Sequence, residues 1–188
     1  MIWKMGERLE KMDEEAWRLE QCPAVFLTDS RNSRRVLDLA GIQYENDIQL
    51  GQIGFCKLET QQECLVGTLC IPKLLDVLGS RYRIYFFINQ NHVVLVDDED
   101  FSMRLIRRIK SKKAHQGETK ERFIYNYIAE FMSRDQELLM QYEKTLMHME
   151  EDAMRGKIEN FQQELMPIRR KLLNLRSYYD EMMDMGRE

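Results

Sequence analysis

Apolar residues keep two different periods along this chain, and the change of period divides it. From Cys22 to about Asp97 they come in short runs rich in β-branched and aromatic side chains, separated by polar turns. From about Thr119 onward they recur every three or four residues. The change falls near residue 116 and predicts a sheet domain over 1–116 and a long helical hairpin over 117–188. In the first part, Pro23 to Thr28 reads as a buried strand, and Asp29 and Ser30 as caps for the helix SRRVLDLA, which Gly41 closes. Gly51 to Leu58 with Glu63 to Ile71, then Tyr82 to Asn89 with His92 to Asp97, read as two antiparallel hairpins. Pro72 is expected to end a strand and release Lys73 to Leu78 into a short helix with Gly79 as its exit. A helix from Asp97 to Lys113 follows, its buried stripe made by Phe101, Leu105, Ile106 and Ile109.

The helical part predicts two rods. The first spans about residues 120 to 154 and sets Ile124, Ile128, Phe131, Leu138, Tyr142 and Met149 in a seven-residue repeat that Asp135 interrupts. Tyr127, Leu139 and Leu146 widen the stripe, which implies more than one neighbour. Arg155-Gly156 is a tight reversal, so the rods are expected to run antiparallel. In the second rod Ile158, Phe161, Leu165, Ile168, Leu172, Leu175, Tyr179 and Met182 hold a seam that is still intact at Glu188. A helix of about 29 residues is roughly 44 Å long, more than a small domain needs for its own core. Pro167 inside it is expected to kink or loosen the rod. Such a rod transmits motion or assembles with others.

Composition narrows the classes. The chain has 188 residues, 44% of them hydrophobic, and 28 Lys and Arg against 32 Asp and Glu, a net charge of -4. This supports a folded protein and gives no overall electrostatic reason to expect nucleic acid or an anionic membrane as partner. The basic run Arg104, Arg107, Arg108, Lys110, Lys112 and Lys113 reads as a solvated face whose cations suit a helix C-terminus. Ser111 to Thr119 is the expected hinge. Cys22, Cys56, Cys64 and Cys70 form no C-x-x-C pair and read as small apolar residues in a reducing setting. The N-terminus lacks the apolar stretch of a secretory signal, and the longest apolar run, Ile84 to Ile88, is far too short to span a membrane.

No local motif assembles a catalytic set. G-x-S-x-G, GK[ST], G-x-G-x-x-G and H-E-x-x-H are all missing, and His92, His115 and His148 lie far apart in sequence. Enzyme chemistry is therefore unsupported. Asp97-Asp98-Glu99-Asp100 is the densest set of hard oxygen ligands, but it precedes a helix, where carboxylates serve as caps. Asp180, Glu181 and Asp184 share a face of the last helix beside its seam. Against a neighbouring subunit these charges would repel unless protons or a hydrated Mg²⁺ neutralised them. The thirteen methionines fill helix interfaces and need no cofactor to explain them.

Four segments in order carry a resemblance. They are RYRIYFFINQNHVVLVDDE, the helix FSMRLIRRIKS, the helix from ERFIYNYIAEF to LLMQYEKTLMHMEE, and ELMPIRRKLLNLRSYYDEM with its step Pro167-Ile168-Arg169 inside a long helix. The order resembles the cytoplasmic N-terminal region of the CorA-type magnesium channel family. The resemblance implies an α/β (α+β) fold, a mixed and largely antiparallel sheet between helix layers, followed by a stalk helix that leads into the membrane. It further implies a pentamer at the cytoplasmic face of the cell membrane, gated by Mg²⁺ held between subunits. Neither the family's Gly-Met-Asn pore signature nor a membrane segment occurs here, so the chain would be the cytoplasmic domain without the pore. On the stalk, Asp180 stands nearest the family's regulatory carboxylate, with Asp184 beyond it, and Asp38 or Asp47 would face it from the adjacent subunit. The competing expectation is a soluble helical adaptor that binds a partner helix, with the sheet as scaffold. A nucleotide- or RNA-binding role for the Arg104 to Lys113 face is the third.

Overall fold

A computed structural model describes residues 1–61, 63–112 and 119–187. Among them a seven-stranded sheet runs in the order β2-β1-β3-β7-β6-β5-β4. The strands are β1 (Ile2–Lys4), β2 (Glu10–Met12), β3 (Ala24–Thr28), β4 (Lys57–Thr60), β5 (Leu65–Lys73), β6 (Asp76–Ile88) and β7 (His92–Val96). All neighbours pair antiparallel except β3 and β7, which are parallel. The helices are α1 (Glu14–Glu20), α2 (Ser33–Leu39), α3 (Phe101–Ser111), α4 (Lys120–Met132), α5 (Asp135–Met154) and α6 (Phe161–Met185). The mixed sheet with its helix layers is the α+β architecture that the resemblance implies.

Alternation along the strands sends side chains to two helix layers. On one face Trp17 of α1 meets Phe26 and His92 edge-on at 5.1 and 5.5 Å, and Tyr44 meets Phe87. On the other, Phe86, Ile88, Val93 and Leu95 lie against Phe123, Tyr127 and Ile128 of α4 and Met185 of α6. The inner strands read as nearly unbroken apolar runs because both faces are covered. The stripe predicted for α3 is observed: Leu105, Ile106 and Ile109 are buried, and Phe101 stacks on Tyr82 at 4.1 Å.

Four expectations need correction. Lys73 to Leu78 is the tip of the β5–β6 hairpin, not a helix, and β5 runs through Pro72. The reason is the short β4, which pairs only with Leu65 to Thr68; Pro72 therefore sits where the outer edge of β5 has no ladder to lose. Asp76 holds the tip by accepting the Ser80 N–H at 3.1 Å. Gly51 to Leu58 is mostly not strand: Leu50–Gln52 is a 3-10 turn, and Ile53 and Cys56 are buried from a loop before β4 begins. Asp29 does not cap α2 itself but the turn before it, accepting the Asn32 N–H at 2.8 Å. The rod of residues 120 to 154 is broken into α4 and α5 at Ser133-Arg134, where the Ser133 hydroxyl donates to the Glu130 carbonyl at 2.8 Å. The hinge expected between Ser111 and Thr119 falls mostly on residues 113–118, outside the described residues, as does His115.

His92 ties the N-terminal elements to the sheet. Its Nδ1 accepts the Ala24 N–H at 3.2 Å, so the ring must be neutral, and burial holds its pKa below the ordinary value. The unfolded chain then binds the extra proton first. Stability from this group is present above the unfolded value of about 6.5 and is lost as pH falls through the window below it. The urea midpoint is expected to drop between about pH 7 and pH 5, and less so in His92→Gln, which keeps an acceptor but does not titrate. An unchanged slope in the variant would remove His92 as the cause.

Candidate functional site

The second half of α6 is where the helical part grips the sheet. Leu175 and Tyr178 are its two buried residues. Polar contacts fix the register around them. Arg81 of β6 donates from Nη2 to Asn174 at 2.6 Å and from Nη1 to the Cys70 carbonyl at 3.3 Å. Glu181 accepts the Cys56 N–H at 3.0 Å, a charge-assisted bond to the strand entry of β4. Met185 closes the row in the apolar crevice under α4. Five side chains spread over three turns therefore clamp one helix to β4, β5 and β6.

At the top of this clamp sits a buried polar knot. Asp135, the first residue of α5, is buried beside Tyr179, and Lys171 lies 5.9 Å from the Tyr142 ring, so α5 and α6 run antiparallel as the reversal at Gly156 predicts. Burial pushes the Asp135 carboxyl upward, and it pushes the Tyr178 and Tyr179 phenols upward too. The Tyr179 hydroxyl faces the Asp135 carboxyl, whereas the Tyr178 hydroxyl is buried with no hydrogen-bond partner among the described residues. A carboxylate at a helix N-terminus is favoured by the dipole, which offsets part of the burial cost.

The cysteines are inert in this setting. All four are free and buried, and burial drives the Cys56 thiol up to about 12 while its Sγ accepts the Cys70 N–H at 3.2 Å.

The acidic run before α3 does cap work. Asp97 accepts from Glu99 N at 2.8 Å and Ser102 N at 2.5 Å, Asp98 takes the Ser30 N–H and hydroxyl at 2.8 Å each, and Glu99 pairs with Lys73 at 2.5 Å. Asp97, Asp98 and Ser30 line a crevice of about 700 Å³ at the C-terminal ends of the parallel pair β3 and β7. The helices that follow those strands leave to opposite faces, the arrangement that opens ligand crevices in α/β sheets. Here the protein's own carboxylates occupy the backbone donors that a ligand anion would use.

The residues singled out for Mg²⁺ are not gathered within one chain. Asp180 lies 3.8 Å from Arg176 and Asp184 lies 3.3 Å from Arg187, all four exposed on α6 or just past its end, whereas Asp38 and Asp47 are exposed on α2 and the loop after it. Among the described residues no three His, Cys, Asp or Glu side chains form a group able to hold a metal ion. Glu181, grouped with Asp180 and Asp184 by spacing, is an anchor for the sheet instead. The basic face of α3 is exposed; Arg104 lies 5.4 Å over the Tyr82 ring, and Lys112 pairs with Glu130. Sequence reasoning missed Tyr178 and Asn174. Their signal was weak, because each sits one residue off the apolar seam.

No described helix is long and apolar enough to cross a membrane. No curated protein matches the sequence. The fold is similar to the full-length CmaX protein, with a TM-score of 0.69 and 14% identity over 98% of this chain and 60% of that one. It is also similar to the soluble domain of CorA from Methanocaldococcus jannaschii, with a TM-score of 0.59 and 17% identity over 96% of this chain and 72% of that one. The present chain thus spans 60% of the length of CmaX. A family model described as CorA-like Mg²⁺ transporter protein matches residues 50–187, a span that holds β4 to β7, α3 to α6 and every contact of the α6 clamp. The chain belongs to the CorA-like Mg²⁺ transporter family.

Proposed function

We propose that this chain is the cytoplasmic domain of a CorA-like transporter for Mg²⁺ or another divalent cation, acting without catalysis. In this reading α6 is the stalk that passes motion from the sheet to a pore formed outside these residues. The observation that carries it is the clamp: Glu181, Asn174, Leu175 and Tyr178 tie α6 to three strands within the matched region. A helix so held moves with the sheet as one body. Regulation follows the same geometry. Asp180 and Asp184 stand exposed on the clamped half of α6, where the approach of a second copy brings carboxylates together. A hydrated Mg²⁺ would relieve that repulsion, with Asp38 of the neighbour as a further oxygen donor, and loss of the ion would let the subunits part. A homo-oligomer, pentameric in the whole protein and attached to the membrane beyond α6, is the assembly this requires.

Sedimentation velocity with and without Mg²⁺ near its millimolar range is expected to show ion-dependent association, with calorimetric heat that Asp180→Ala and Asp184→Ala reduce about tenfold or more in apparent affinity. Association and heat that ignore Mg²⁺ would remove the sensing half. Mg²⁺ uptake by cells making the whole gene product checks the transport half separately.

A further inference from the structure

The outer face of α5 is unlike the rest of the surface. Tyr142 and Asp135 mark the side of this helix turned to α6. At about 100° per residue, Met140, Met147 and Met154 fall together on the opposite side, one every two turns. Their exposures are 56%, 56% and 85%. Asp135 is the only buried residue of the helix, so α5 leans on one neighbour and offers a full second face to solvent. Three unbranched thioethers in line make a stripe roughly 21 Å long at 1.5 Å per residue, adaptable in shape and apolar.

The charges beside the stripe select its occupant. Glu143 and Glu150 flank it on one side and Glu137 and Glu151 on the other; the cations among them are Lys144 and, just past the helix, Arg155, which pairs with Glu151 at 3.8 Å and leaves a net acidic border. A second α5 laid against this face would set glutamates against glutamates, a like-charge pairing that costs free energy. A bilayer with anionic headgroups is opposed for the same reason. A helix with an apolar seam and lysine or arginine flanks meets both requirements, burying the methionines while its cations reach the glutamates. We infer that the Met140–Met147–Met154 face of α5 is a docking site for a cationic amphipathic helix of a partner protein. The site is separate from the α6 clamp and from any ion site on α6, and it stands whether or not the domain senses Mg²⁺.

A fluorescein-labelled synthetic helix with leucine at i, i+3, i+4 and i+7 and lysine elsewhere serves as the probe, read by anisotropy against the 188-residue chain. Saturable binding is expected, weakened about tenfold or more by Met147→Glu and by Met140→Glu. Glu143→Lys with Glu150→Lys should weaken it at low salt by a similar factor and transfer the preference to a glutamate-flanked version of the probe. These positions are exposed, so circular dichroism should match the parent. Equal binding of a scrambled peptide of the same charge would overturn the inference, as would binding that Met147→Glu leaves intact. A dimer in sedimentation that Met147→Glu dissolves would overturn it in favour of a second copy.

Discussion

Tyr178→Ala should lower unfolding stability by about 3–5 kcal/mol, the range for deleting a large aromatic side chain from a closed site. Tyr178 is 2% exposed and fills the centre of the α6 clamp, between the Asn174–Arg81 bond and the Glu181–Cys56 bond. Removing the ring leaves a cavity that clamped neighbours cannot collapse. The phenol hydroxyl contributes nothing to that cost, because it is buried and has no partner among the described residues. Tyr178→Phe should therefore hold stability level or raise it by up to about 1 kcal/mol, since it removes an unsatisfied group while keeping the ring. Urea titrations followed by circular dichroism separate the two. A loss below about 1 kcal/mol in Tyr178→Ala would show that α6 is not held to the sheet in solution.

Gly67→Ala should cost about 1–3 kcal/mol through overpacking, and Gly67→Val more. Gly67 pairs with Phe86 across β5 and β6, and the Phe86 ring lies over the glycine where a side chain would stand. A Cβ there would meet the ring in hard contact and the Lys57 carbonyl of β4 at 2.8 Å. The ring can swing aside, whereas the carbonyl belongs to a ladder. Gly67 thus marks a close approach inside a strand. Phe86→Leu combined with Gly67→Ala should recover part of the loss, a favourable coupling of about 0.5–2 kcal/mol in a double-mutant cycle. Strictly additive effects would place the conflict at the Lys57 carbonyl alone.

Periodicity made the middle strands and the last helices legible because their side chains meet one kind of surroundings over many residues. β3, β7 and the α3 stripe follow directly from it. The N-terminal elements were not legible: β1 and β2 have three residues each, too few for a period, and charged residues sit among them, Lys4 on β1 and Glu10 and Lys11 on the edge strand β2. Pro72 misled because its effect depends on where the neighbouring strand ends, which is a tertiary fact. Asp135 did carry a signal. An acidic residue in an apolar repeat is costly unless the backbone turns there, and the structure turns there. Asp180, Glu181 and Asp184 look alike in sequence, yet only Glu181 reaches a backbone donor, and helical spacing alone does not distinguish an anchor from a solvated charge.

Pro167 stands seven residues before Asn174, whose side chain accepts the hydrogen bond from Arg81 of the sheet. Its ring deprives the Gln163 carbonyl of a donor and thins the helix at that level. The rod therefore has a compliant segment on its free side and a stiff one on its gripped side. If α6 acts as the proposed stalk, a push on the tip near Gly156 would be taken up as a swing at the proline, while a pull at the Met185 end would pass into the strands it is bonded to. Such a lever would answer to one of its ends and not to the other.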